Sequence, residues 1–269
     1  MKAELPVSAE HQRYLMDLKH RRVFVTVMQY ALLVGFIALW EVAARLHWID
    51  PFITSSPSRV LKTLVSLYNS GTLFYHIGYT LYETVVSFLL GTLLGTFIAV
   101  LLWWSPTASK VLDPYLVVFN ALPKIALGPI LIVWIGASSS SIIAMGLLIS
   151  LIVTIITVLT GFNEISVEKQ MFMLTLGATR LQIFTKVVLP ASIPTVMSAL
   201  KLSVGMSWVG VIVGEYLVSK AGLGYLIVYG GQVFQLDLVM ASILVLCVLA
   251  AVMYYLVAYL EKKLIRWKP

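Results

Sequence analysis

Residues 140–161 read SSIIAMGLLISLIVTIITVLTG, and this stretch decides the class of the molecule. Between Leu147 and Leu159 the only polar side chains are Ser150, Thr154 and Thr157. A helix at the surface of a soluble core keeps a polar stripe toward water, and none is left here. About 20 mostly apolar residues cross the hydrocarbon layer as a helix, so 140–161 reads as a membrane span. Working outward, five more stretches qualify, at 23–46, 76–104, 111–136, 191–217 and 238–260. The whole chain agrees: of 269 residues 60% are hydrophobic and 12% charged, against about 45–50% and about 25% in a soluble domain. The same numbers exclude intrinsic disorder. A single cysteine, Cys247, excludes an intramolecular disulfide framework and a cysteine-cluster metal site. The expected fold is an all-α integral membrane bundle of six spans.

The net charge of +7 would suit a nucleic-acid binder, but its placement explains it otherwise. With the N-terminus inside, thirteen Lys and Arg fall on inner segments: Lys2, Arg13, Lys19, Arg21, Arg22, Lys110, Lys169, Arg180, Lys186, Lys262, Lys263, Arg266 and Lys268. Four fall outside, at Arg45, Arg59, Lys62 and Lys220, while Lys124 and Lys201 lie within spans. An excess of Lys and Arg marks the cytoplasmic face. Both termini are therefore expected inside, and no nucleic-acid partner is needed. Residues 1–22 are expected to form a cytoplasmic N-terminal segment, and 23–269 the transmembrane domain. The first apolar run is longer than a signal-peptide core, so the span is expected to be retained.

Several spans carry features beyond hydrophobicity. Ser87, Gly91, Gly95 and Ala99 recur every four residues on one face of the second span, and the fifth repeats the device at Gly210 and Gly214. Small residues at this spacing let helix backbones approach closely in lipid, either inside the bundle or at a subunit interface. The third span holds Pro114, Pro123, Gly128 and Pro129 and cannot be a straight helix. Irregular backbone at membrane depth survives where it is buried or lines a wet cavity, and broken helices are frequent where substrates cross. Ionisable residues within spans are functional candidates. Glu41 and Arg45 are one turn apart and are expected to pair. Glu83 is expected near a solvated interface. Lys124, after Pro123, either attracts an anion or snorkels its head to the interface. Glu215, before Ala221-Gly222-Leu223-Gly224, either lines the outer part of a pathway or marks the water boundary.

The segment 162–190 is too amphipathic for a linker and too charged to be embedded in lipid. Asn163 with Glu164 is expected to cap a short helix whose apolar side is Ile165, Val167, Met171, Leu174 and Leu176, ending at Gly177. A second short helix is expected from Arg180 to Val188, closed by Leu189-Pro190. Two short helices joined at a glycine make a knuckle suited to a groove on a soluble partner; the rival is an amphipathic segment flat on lipid. Gly177-Ala178-Thr179 favours the turn.

Leu176-Gly177-Ala178-Thr179, Phe184 and Val188-Leu189-Pro190 resemble the cytoplasmic loop of permease subunits of ATP-binding-cassette importers. That loop begins Glu-Ala-Ala, then three residues and Gly, and ends in Leu-Pro. Met171-Phe172-Met173 stand here in place of Glu-Ala-Ala, with Glu168 three residues earlier. Leu112-Asp113-Pro114, Leu122-Pro123-Lys124-Ile125-Ala126-Leu127-Gly128-Pro129, Trp134-Ile135-Gly136, Trp208, Glu215 and Gly222-Leu223-Gly224-Tyr225 are similar to the nitrate/sulfonate/taurine-type branch of the binding-protein-dependent transport family, over roughly 75–260. The resemblance implies a six-span bundle of the type I ABC importer permease kind in a bacterial inner or plasma membrane. It implies a homodimer, two cytoplasmic ATPase subunits that bind ATP and magnesium, and an extracytoplasmic solute-binding protein. The ATPase-coupling loop would comprise Glu168, Met171, Leu174, Gly177, Ala178, Thr179, Arg180, Phe184, Leu189 and Pro190. Pro123, Lys124, Pro129, Trp208 and Glu215 are candidates for the translocation path or gate. The implied solute is a small anion such as a sulfonate, taurine or nitrate, with a thiamine-pyrimidine-like vitamin precursor as the alternative.

The chain has no G-x-x-x-x-G-K-[ST] phosphate loop, and His11, His20, His47 and His76 show no metal-ligand spacing. No cofactor and no catalysis by this chain are expected; hydrolysis would belong to another subunit. An ion-coupled secondary transporter would need midplane carboxylates and an inverted repeat, and neither is evident. A membrane enzyme would need clustered catalytic groups, which the sparse histidines and carboxylates do not supply.

Overall fold

The computed structural model describes residues 9–265, and these are helices joined by short turns. Lys2, Arg266 and Lys268, used in the topology count, lie outside the described residues. The chain divides into two compact units, one ending at Lys62 and one beginning at Thr63.

In the first unit, α1 runs from Ala9 to Arg45, passing position 22 without a break. Glu41 and Arg45 pair across one turn at 2.7 Å, as expected, and Glu41 also accepts the Ser58 N–H at 3.0 Å. The segment 47–75, between the first two spans, contains two helices. Asp50 caps α2 (Pro51–Thr54) by accepting the Phe52 N–H at 2.8 Å, and α3 (Pro57–Asn69) begins on a proline. Proline at a helix start gives up an N–H that has no partner there anyway.

The second unit is built around α7 (Ser139–Asn163), which packs between α4 (Thr72–Trp104) and α10 (Leu189–Val218). The small residues make this possible. A Cβ added at Gly95 would lie 2.8 Å from Thr154, and one at Gly210 would lie 2.5 Å from the Gly146 Cα. Ser87 donates to the Ile143 carbonyl at 3.1 Å, and Thr154 to Ser203 Oγ at 3.2 Å. The stripe Ser87, Gly91, Gly95 and Ala99 is thus spent on packing inside the chain. Lipid offers apolar chains no net gain from leaving it, so close van der Waals contact and interhelical hydrogen bonds hold such helices together.

The third span is broken, as the prolines require. α5 (Pro106–Ala121) and the pair formed by a 3₁₀ turn at Lys124–Leu127 with α6 (Gly128–Ile135) meet at 86°. Pro114 sits inside α5 without ending it; the bend falls at Leu122-Pro123. Among the described residues five helices are long and apolar enough to cross a membrane, or six if the bent pair is counted as one span. α11 (Leu223–Gln232) and α12 (Leu236–Leu264) complete the bundle, α12 packing on both α11 and α10. Lys201 of α10, whose partner was not read from the sequence, pairs with Glu261 of α12 at 2.9 Å.

Candidate functional site: a knuckle at one end and a polar hub at the other

The connection between α7 and α10 is two short helices about a glycine, with three departures from expectation. α7 extends through Asn163, so the cap of the next helix, α8 (Val167–Thr175), is Ser166, whose side chain accepts the Lys169 N–H at 3.4 Å. Glu168, not Glu164, occupies its first turn. The second helix, α9 (Arg180–Ile183), is capped reciprocally by Thr179 and Gln182. It is not closed by Leu189-Pro190. A π turn at Phe184–Val188 carries it directly into α10, with the Leu189 N–H reaching back to the Phe184 carbonyl. Proline lacks the N–H for an ordinary helical bond, and widening the turn lets the helix continue through Pro190.

Gly177 has φ +77° and nothing within 4 Å of a Cβ position. It turns the chain in the left-handed region, where an L side chain costs about 1–2 kcal/mol. α8 has no buried residue. Val167, Met171, Phe172, Leu174 and Leu176 are each about 60% exposed. Glu168, Lys169, Phe172, Met173 and Val187 line an open groove of about 410 Å³. The far side of the knuckle is anchored. Phe184 is buried and its ring lies 5.5 Å from Phe162 and 4.9 Å from Trp103. Phe184 is therefore the buried root of the knuckle, exposed Leu189 and half-buried Pro190 lead into α10, and Met171, Leu174, Gly177 and Thr179 sit on its exposed part.

At the opposite end of the bundle, the start of α11 is held by three side chains. The Gly222 N–H donates to His76 Nδ1 at 3.0 Å and the Leu223 N–H to Thr80 Oγ1 at 2.8 Å. The Gly224 N–H donates to Glu215 Oε2 at 2.5 Å, and Thr80 donates to Glu215 Oε1 at 2.7 Å. The first N–H groups of a helix have no partner within it, and a carboxyl group there meets the positive end of the helix dipole. Gly222, at φ +106°, leaves room for the Glu215 carboxyl, into which a Cβ would run. Glu215 is 1% exposed: it neither marks a water boundary nor lines an open passage within this chain. It ties α10, α4 and α11 together.

Glu83 was expected near solvent, yet it is 1% exposed. α4 begins at Thr72, so Glu83 sits about three turns inside. Its Oε2 is buried and has no hydrogen-bond partner among the described residues. Lys124 is half-buried, and its Nζ donates to the Asn120 carbonyl at 2.9 Å, satisfying the end of α5. Trp208 is buried in the core of α10, α11 and α12, and its indole N–H has no partner among the described residues. Pro123 is exposed at the bend and Pro129 lies in the first turn of α6. Among the described residues no three His, Cys, Asp or Glu side chains gather as a metal site. Sequence reasoning missed His76 and Thr80. The signal was present: His76, Thr80, Glu83 and Ser87 continue the small-residue face of the second span toward its start at helical spacing.

Residues 91–266 match the family described as binding-protein-dependent transport system inner membrane component, and the chain belongs to that family. An aliphatic sulfonates transport permease protein, SsuC, of Bacillus subtilis is 32% identical over 86% of this chain and 84% of its own. The taurine transport system permease protein TauC of Escherichia coli is 24% identical, over 86% of each chain. The formylaminopyrimidine transport permease protein ThiX of Halalkalibacterium halodurans is 27% identical over 86% of this chain and 92% of its own. Among solved structures, the inward-facing MetNI methionine ABC transporter superposes with a TM-score of 0.64 at 20% identity, covering 73% of this chain and 98% of that one. That likeness is one of fold. The molecule is an all-α, multi-pass ABC importer permease.

Proposed function

We propose that the chain works as a pair with a second copy, two soluble ATPase subunits gripping the α7–α10 connection, and an outer binding protein delivering the solute. The observation that carries this is the knuckle itself: an exposed apolar helix about Gly177, rooted through Phe184 and the π turn into α10. A membrane-flat segment would not project a left-handed glycine turn with an empty surround. Thirteen basic residues against four support an orientation with both termini and the knuckle cytoplasmic, in the bacterial inner or plasma membrane. ATP and magnesium belong to the partner ATPase, so this chain makes and breaks no bond.

Closure of the ATPases would push the knuckle and hence α10. α10 carries Glu215 at its other end, so the push reaches the start of α11. The path opens beside the broken span, around Pro123, Lys124 and Pro129, with Trp208 and Glu215 packed behind it as residues that position the moving helices. The solute is a small anion such as an organosulfonate, taurine or nitrate; the names of SsuC and TauC support this class. ThiX favours a thiamine-pyrimidine-like cargo as a second reading. Uptake by proteoliposomes containing the whole complex, with taurine and formylaminopyrimidine as competitors, separates the two.

Gly177→Asp tests the docking. The variant inserts normally and fails to co-purify with the ATPase, and ATP-driven uptake is lost. Gly177→Asn, which shares the tolerance of Asp for the left-handed region but brings no charge to the docking surface, retains more of both. Normal ATPase association by Gly177→Asp would refute the docking role.

A further inference from the structure

Between the knuckle and the corner joining α4 to α5 lies a cavity of about 530 Å³, within the usual range for a small-molecule site of about 300–1,000 Å³. It is separate from the open groove on the knuckle, and the charges in its lining are of one sign, set among apolar walls from Leu102, Pro106, Val167, Leu174 and Ile183. Lys110 and Arg180 supply two cations; Ser109, Asn163 and Gln170 supply neutral hydrogen-bonding groups; Trp103 forms an aromatic wall. Among the described residues no carboxylate lines it. Neither Lys110 nor Arg180 has an ion-pair partner among the described residues.

Arg180 is nevertheless held in place. Its guanidinium carbon lies 5.8 Å from the ring centroids of both Trp103 and Trp104. Indole faces attract a guanidinium, and that contact does not consume the donors at its edge. A planar fork of donors beside a lysine ammonium is the donor set that recognises phosphate oxygens. Tryptophan pairs at the ends of spans mark the level of lipid headgroups.

We propose that this cavity binds a phosphate group, carried either by the headgroup of an anionic phospholipid or by a soluble phosphate ester. Its walls come from α4, α5, α7, α8 and α9, so an occupant braces the knuckle against the α4–α5 corner. The leaflet from which a lipid would enter follows from the orientation proposed above; the phosphate chemistry does not depend on it.

The test uses the full-length chain, purified and analysed by native mass spectrometry after exchange into phosphatidylglycerol or phosphatidylcholine, with glycerol 3-phosphate as the soluble probe. Phosphatidylglycerol is retained preferentially. The double variant Lys110→Gln/Arg180→Gln weakens that retention roughly 30-fold, the effect of two basic contacts at a membrane surface. Ser109→Trp, which fills the cavity and keeps both cations, also releases the lipid. Lys262→Gln/Lys263→Gln, at the exposed end of α12, leaves retention unchanged. If glycerol 3-phosphate binds the wild type and not the double variant while the two lipids are retained equally, the source is a soluble phosphate and the site stands. The proposal is overturned if the double variant keeps wild-type retention of both probes. It is equally overturned if the double variant loses only ATPase association, which would assign the cations to the protein partner.

Discussion

Thr80→Val removes one oxygen and replaces it with a methyl group of similar size, which makes it a clean probe of the hub at the start of α11. That oxygen makes two contacts, donating to Glu215 at 2.7 Å and accepting the Leu223 N–H at 2.8 Å. Thr80 and Leu223 are both 0% exposed, so water does not take over. The orphaned Leu223 N–H alone costs about 1–3 kcal/mol, and the lost bond to the carboxyl brings the total to roughly 2–4 kcal/mol. Glu215→Ala removes the acceptors of both Gly224 and Thr80 and is at least as costly. Glu215→Gln keeps the shape and one acceptor, and costs about 1 kcal/mol. The expected order of thermal midpoints in detergent is wild type, Glu215→Gln, Thr80→Val, Glu215→Ala, with Thr80→Val lower than wild type by at least ~5 °C. ATP-driven uptake by the reconstituted complex should fall in the same order, because α11 then loses its ties to α4 and α10. If Thr80→Val melted with the wild type, or if Glu215→Gln proved worse than Glu215→Ala, the hub would not hold the helices together.

Two further outcomes follow from the packing. Gly210→Val places a side chain where a Cβ would already lie 2.5 Å from the Gly146 backbone, forcing α7 and α10 apart; it should abolish stable expression, while Gly205→Val, with open space at its Cβ, should not. Lys201→Met leaves Glu261 without its partner at a partly exposed site and should lower stability by about 1–3 kcal/mol. The double variant Lys201→Met/Glu261→Leu should recover most of that loss in a double-mutant cycle of thermal midpoints; a double variant as unstable as the sum of the singles would show that the pair is not coupled.

The spans were legible because lipid leaves a helix few compositional choices, and α7 shows this most plainly. The break at Pro123 was equally readable, since two missing N–H groups and a glycine leave no continuous helix. What escaped was set by neighbours. Asn163 and Ser166 are both good caps; only the length of α7 decides between them. Leu189-Pro190 looks like a stop, but the buried Phe184 anchors the preceding turn and the chain widens to a π turn instead. Amphipathic α3 was not read from the sequence. Glu83 was judged by its distance from an assumed span start, and α4 starts earlier. Glu215 stands out in the sequence as an ionisable residue within a span, but its environment comes from α4 and α11, and periodicity says nothing of that.

The right-angle elbow at Leu122-Pro123 has a mechanical consequence. Across it no ladder of helical hydrogen bonds continues, so thrust along the axis of α5 is not delivered along the axis of α6. A displacement of one arm emerges in the other as rotation about the elbow, and a small stroke at the membrane surface becomes a swing at depth.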